Sequence, residues 1–268
     1  MSRVKALIIT GLGLNCEKET AVAFEAAGAS ASKIHLNDLL KDPKKLNDYH
    51  VLAFIGGFSF GDHLGSGTVL ANRIKHGLRQ ELEGFIESGK LIIGICNGFQ
   101  TMTRLGIVPA LKGLFNQEVA LQHNDCGTFR DNWVTLKVEE SSQCVFTKGI
   151  HVLPVPIRHG EGKLVAMDEE TLNDLEEGGH VCLRYADPVS IEPTQEFPMN
   201  PNGSQNSIAG ICDKSGRVFG LMPHPEAYIS PFNHPHWTQQ KINGTLPEEG
   251  LGMQIFRNAV EFAEAELL

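Results

Sequence analysis

The sequence predicts an α/β fold: a mostly parallel central sheet flanked by helices, with flavodoxin-like layering. Three observations predict it. Short apolar runs alternate with helical stretches in the order strand, helix, strand. The runs end in glycine-rich loops, and sheets of this kind place ligands at the carboxyl ends of their strands. Finally, Leu91-Ile92-Ile93 leads to Cys96 with Gly94 and Gly98 on either side, the pattern of a nucleophile elbow between strand and helix.

In chain order, Lys5–Thr10 reads as the first strand, residues 11–15 as a turn, and residues 17–27 as a helix that Gly28 stops. Asn15 is the predicted N-cap, with Glu17 and Glu19 in the first turn where the helix dipole favours acids. The pair Gly11-x-Gly13 lacks the third glycine of a dinucleotide loop, and Cys16 stands in its place. Residues 51–55 form a second apolar run, cut off by Gly56-Gly-Phe-Ser-Phe-Gly-Asp-His63. One helical stretch is expected over 69–88, ended by Gly89, before the strand that delivers Cys96. The segment Gly84-x4-Gly89-Lys90 imitates a phosphate loop, but Leu91 replaces its Ser/Thr and the helix precedes the strand, so no ATP site is read there.

Further on, residues 134–138 alternate, and 152–157 form an extended run that Pro154 and Pro156 mark as an edge strand. Residues 208–211 and 218–222 read as a hairpin, and residues 253–268 as a closing amphipathic helix with Ile255, Phe256, Val260 and Phe262 on its apolar face.

Composition narrows the function. The chain has 268 residues and a formal net charge of −9 without a long basic cluster, which argues against a nucleic-acid partner. No apolar run approaches the roughly 20 residues of a membrane span. The N-terminus lacks a signal-peptide pattern, so a cytoplasmic location is expected. The six cysteines are scattered without Cys-x-x-Cys, and most read as buried thiols of a reducing compartment. His234 and His236 have no third ligand in spacing, so no metal site is read.

Two segments carry the chemistry. Cys96 sits at the elbow, and Pro223-His-Pro-Glu226 supplies an imidazole with a carboxylate two residues on. Pro225 pushes His224 out of the helical region, and in extended backbone residues two apart point the same way. Glu226 is therefore expected to hold His224, and His224 to take the proton of Cys96. Backbone N–H groups of Gly57 and Asn97 are the expected oxyanion donors. His159 and Glu161 form a second His/Glu pair, read as a loop facing a partner or lining an exit from the site. His63 reads as a solvated loop residue.

The segments Gly56-Gly-Phe-Ser-Phe-Gly-Asp62, Gly94-Ile-Cys-Asn-Gly-Phe-Gln100, His159-Gly-Glu-Gly162, Asn200-Pro-Asn-Gly-Ser204 and Met222-Pro-His-Pro-Glu226 occur in this order. Together they resemble the class I (triad) glutamine amidotransferases, in particular the glutaminase subunits of phosphoribosylformylglycinamidine synthase. The resemblance implies a single amidotransferase domain over residues 1–268 that hydrolyses L-glutamine to glutamate and ammonia through a γ-glutamyl thioester. It implies Cys96 as nucleophile, His224 as base, Glu226 as orienting carboxylate, and Gln100, Asn124 and Phe129 as substrate contacts. It also implies a synthetase partner that carries ATP and magnesium, and a small accessory subunit. Arg158 departs from the family's alanine before His-Gly-Glu-Gly, and Asn132 from the arginine usual before the tryptophan. Residues 232–250 extend beyond the shorter members. A cysteine hydrolase of related fold, such as a peptidase or deglycase, and a non-catalytic scaffolding subunit are the alternatives.

Overall fold

The computed structural model describes residues 3–268. Its first half comprises β1 (Lys5–Thr10), α1 (Glu17–Ala26), β2 (Ser30–His35), α2 (Leu36–Lys41), β3 (Val51–Phe54), α3 (Thr68–Gly77), α4 (Arg79–Glu87), β4 (Leu91–Ile95) and α5 (Asn97–Leu105). The second half adds β5 (Val119–His123), β6 (Arg130–Val138), β7 (Val152–His159), β8 (Glu161–Ala166) and α6 (Glu169–Glu177). It closes with β9 (Val181–Ala186), β10 (Ile208–Cys212), β11 (Val218–Leu221), α7 (Trp237–Ile242) and α8 (Met253–Glu266).

Nine strands make one sheet in the order β2-β1-β3-β4-β11-β10-β9-β6-β7, and β5 pairs with β8 apart from it. Neighbours from β2 to β11 are parallel. From β11 to β7 they are antiparallel. Every residue of β3 and β4 is buried, which is why these strands read as unbroken apolar runs. The polar strand β2 lies at one edge and the proline-bearing β7 at the other. The hairpin expected from residues 208–222 is β10 with β11. Helix α8 buries Ile255, Phe256 and Val260, and sets Phe256 edge-on to Phe24 of α1 with centroids 5.0 Å apart. Among the described residues, no helix is long and apolar enough to cross a membrane.

Two local expectations change. The stretch 69–88 is two helices, α3 and α4, broken where Leu78 adopts φ −134° and ψ 5°. Leu70, Ile74, Leu78, Leu82 and Phe85 are all buried across the break, so the apolar period runs through it unaltered. The N-cap position of α1 is Cys16, not Asn15, and no side chain caps the helix; Asn15 instead accepts a hydrogen bond from the Cys16 thiol at 3.4 Å.

At the junction of β4 and α5, Cys96 takes φ 52° and ψ −110°, a conformation that costs a non-glycine residue on the order of 1–3 kcal/mol. Two backbone bonds hold it: Cys96 N donates to Leu221 O (2.9 Å), and Gln100 N donates to Cys96 O (3.0 Å). Gly98 lets the first turn of α5 press on β3, where an added Cβ would overlap the Phe54 carbonyl. Gly98→Ala is therefore expected to cost at least about 1–3 kcal/mol and to release the elbow. An unchanged urea midpoint in that variant would contradict this.

Candidate active site

Strands β4 and β11 are parallel neighbours, so their carboxyl ends meet on one rim. Cys96 follows β4 directly, and His224 follows β11 after Met222 and Pro223. The far edge of the sheet also reaches this rim. Pro156 O of β7 accepts from His224 N at 2.8 Å, and Cys96 Sγ lies 3.5 Å from Arg158 O. The antiparallel extension therefore curls back over the elbow and buries Cys96 to 5% exposure.

His224 Nδ1 lies 2.5 Å from Glu226 Oε1, and both side chains are buried. The expected pairing is present, but not through an extended backbone. Pro225–Ala227 is a 3-10 turn, while His224 lies outside it at φ −109° and ψ 85°. The turn brings the carboxylate under the ring, since proline fits its first position. Burial opposes charge on His224, but the Glu226 carboxylate, then the thiols of Cys96 and Cys16, outweigh it. Its pKa accordingly stands well above the ordinary histidine value. The charged form of the imidazole is therefore the favoured one. Its Nε2 is buried and free of other hydrogen bonds.

The amides expected as oxyanion donors are those of Gly57 and Asn97. Phe58 N donates to Gly13 O (2.7 Å) and Asn15 N to Gly56 O (3.2 Å), around an isolated bridge between Leu14 and Gly57. Gly57 is thus the non-hydrogen-bonded residue of that bridge, and its amide points away from the Leu14 segment. Its φ of 143° and the closeness of Gly13 O and Leu14 Cα admit only glycine. Asn97 N belongs to the first turn of α5, where amides lack intrahelical partners.

The Asn97 side chain ties these parts together. Its Oδ1 accepts from Ser59 N (3.2 Å), and its Nδ2 donates to Asp62 Oδ1 (3.1 Å) and Gln100 Oε1 (2.9 Å). Gln100 in turn donates to the Glu161 carbonyl at 2.5 Å. Both ends of the Gln100 amide are thus engaged, so it links the elbow to β8. Asn124 is more fully committed. Its Nδ2 donates to His159 O and Thr128 O, and its Oδ1 meets His159 Nδ1 and Gly162 N. No polar group of Asn124 remains free, so its side chain holds the loop together. Phe129 is half exposed and pairs with Phe58, beside Gly57, at 6.1 Å between ring centroids.

Of the two readings of the His159/Glu161 loop, the buried side chain of His159 does not itself face a partner. It is buried against Asn124, and its pKa is lowered to about 3, first by burial and then by the charge of His224. Glu161 accepts from Ser66 N through its side chain and from Gln100 through its main chain. His63 is exposed, as expected for a loop residue. His234 packs its ring against Trp133 and Tyr228.

Cys16 was not anticipated as a site residue. Its sulfur, a ring nitrogen of His224 and a carboxylate oxygen of Glu226 lie within 4.8 Å of one another. Burial raises the Cys16 pKa, so it meets the imidazole as a neutral thiol. The available signal was its position beyond Gly11-x-Gly13, at the carboxyl end of β1 on the same rim.

Comparison with known proteins gives the family of the chain. The profile of the CobB/CobQ-like glutamine amidotransferase domain matches residues 3–263. The chain belongs to this glutamine amidotransferase family. It is 46% identical over 265 residues to the phosphoribosylformylglycinamidine synthase subunit PurQ of Methanococcus maripaludis strain S2, covering 96% of this chain and 97% of that one. The PurQ subunit of Dehalococcoides mccartyi is 44% identical over 264 residues, covering 98% and 99%. In the solved structure of PurLQS from Thermotoga maritima, one chain superposes with a TM-score of 0.72 at 30% identity, covering 97% of this chain and 99% of that one.

Two outcomes follow from the charges. An unfolded histidine takes up its proton near pH 6.5, whereas folded His159 does so only near 3. Stability that His159 permits above pH 6.5 is therefore lost as pH falls toward 3, by at most about 1.4 kcal/mol per pH unit. His159→Gln should flatten the fall in urea midpoint between pH 6.5 and 4.5; an unchanged slope would contradict the assignment. Cys16→Ala should move the His224 titration to lower pH in ring-proton NMR, and no shift would reduce Cys16 to packing.

Proposed function

We propose that Cys96, His224 and Glu226 are a catalytic triad that hydrolyses L-glutamine, and that the chain is the glutaminase subunit of a phosphoribosylformylglycinamidine synthase in purine biosynthesis. The observation that carries this is the strained Cys96 at a helix N-terminus beside a charged imidazole held at 2.5 Å by a buried carboxylate. A carboxamide is a poor electrophile, and these groups supply the thiolate and the oxyanion support that its attack needs.

Cys96 Sγ adds to the side-chain carbonyl carbon of glutamine, and the oxygen takes the negative charge against the amides of Gly57 and Asn97. His224 gives its proton to the departing nitrogen, which leaves as ammonia. The γ-glutamyl thioester is then opened by water, with His224 accepting the proton and Cys96 regained. Glu226 holds the imidazole tautomer and its charge throughout. Asn97, Gln100 and Asn124 shape the wall of the site, and the exposed pair Phe58 and Phe129 forms its apolar lip. The PurQ names of the relatives and the PurLQS assembly support a synthetase partner that receives the ammonia. That partner would carry ATP and magnesium, convert formylglycinamide ribonucleotide to the amidine, and be joined by a small accessory subunit.

A glutamine-mimicking diazoketone should alkylate Cys96 selectively, with protection by glutamine and acceleration by the synthetase subunit, as read by peptide mapping. Cys96→Ala in the assembled complex should lower glutamine turnover by about 10⁴-fold or more. Unchanged turnover would refute the triad, and peptide cleavage without glutamine turnover would favour a hydrolase instead.

A further inference from the structure

Cys144, Cys182 and Cys212 are far apart in the chain, yet their sulfurs lie within 4.8 Å of one another. They are 3%, 0% and 1% exposed. Cys182 comes from β9, Cys212 from the end of its neighbour β10, and Cys144 from the loop after β6. Backbone bonds fix all three segments: Cys212 N to His180 O (2.8 Å), Glu139 N to Cys182 O (3.0 Å) and Val145 N to Gly216 O (2.9 Å). Because β10 runs antiparallel to β11, the cluster sits at the opposite end of the sheet from His224 and Cys96.

We infer that these three cysteines form a binding site for a thiophilic divalent cation of the zinc type. Three sulfurs on rigid elements make a donor set that such cations prefer over oxygen sites. Zinc–sulfur bonds of about 2.3 Å would place tetrahedral sulfurs roughly 3.8 Å apart, a small contraction of the observed cluster. The fourth position falls to the Ser142 hydroxyl, 4.0 Å from Cys212 Sγ, or to solvent. Solvent reaches Cys144 through a cleft of about 650 Å³. Glu139 is paired with Arg184, and Glu140, Glu261 and Glu266 line that cleft against Lys148, a balance that draws cations inward.

Binding exchanges three S–H bonds for three metal–sulfur bonds, the protons pass to solvent, and nothing is oxidised.

Cadmium(II) is the probe, titrated into the full chain carrying Cys96→Ala so that the nucleophile cannot compete. The expected result is one equivalent bound with sulfur-to-cadmium charge-transfer absorption, and affinity at least tenfold weaker in Cys182→Ser and Cys212→Ser. Those positions are core, so Cys144→Ser at the cleft wall is a further variant. Cadmium-113 NMR of the unsubstituted chain needs no variant, and should give a resonance typical of three-sulfur ligation. Absence of the charge-transfer band, or a resonance typical of nitrogen and oxygen ligands, would overturn the inference. So would binding that survives all three serines but falls in Cys16→Ser, which would place the ion at Cys16, His224 and Glu226.

Discussion

The site depends on one backbone constraint, the positive φ of Cys96. A thiol on a relaxed strand would point into the sheet or lie along the helix. The strained turn instead lifts it to the rim while its neighbours remain in β4 and α5. The strain persists because the surroundings over-determine it. The Leu221 carbonyl holds Cys96 N, α5 holds its carbonyl, and Gly98 brings the helix against β3 where no side chain fits. The energy stored at one residue is thus offset by the burial of two central strands.

A second constraint is the curl of the sheet. Strands β7 and β11 are not neighbours, yet Pro156 and Arg158 of β7 contact His224 and Cys96. This closure removes Cys96, His224 and Glu226 from bulk water and strengthens each charge interaction among them. Asn97 and Gln100 cross the same space and tie the Gly56-Gly57 loop, the elbow and β8 into one hydrogen-bonded unit. The Gly56-Gly57 loop and Cys96 are therefore positioned by the same residues.

Two buried histidines meet at this site in opposite charge states. His224 has a carboxylate and two thiols about it and keeps its proton, whereas His159 has the neutral amide of Asn124 and a charged neighbour and loses it. Equal burial gives opposite outcomes because the partner, and not the depth, decides which form is favoured. His159 consequently serves as a neutral strut bonded to Asn124.

The sequence by itself determined the parallel core of the sheet, the elbow at Cys96 and the His224–Glu226 pair. These are legible because each follows from local chemistry: continuous apolar runs for strands buried on both faces, glycines where side chains cannot fit, and a carboxylate two residues from its histidine, although the backbone between them is a 3-10 turn and not extended. The break at Leu78 escaped because buried residues keep the helical period across it. Edge strand β2 is polar and carries no apolar run. Only the tertiary structure decided that β7 returns over the elbow, that Asn124 commits its side chain to the His159 loop, and that Cys16 lies beside the His224 imidazole. It alone gathered Cys144, Cys182 and Cys212 at the far end of the sheet. Such contacts join residues distant in the chain through strand order and curl, and no local period or spacing encodes strand order.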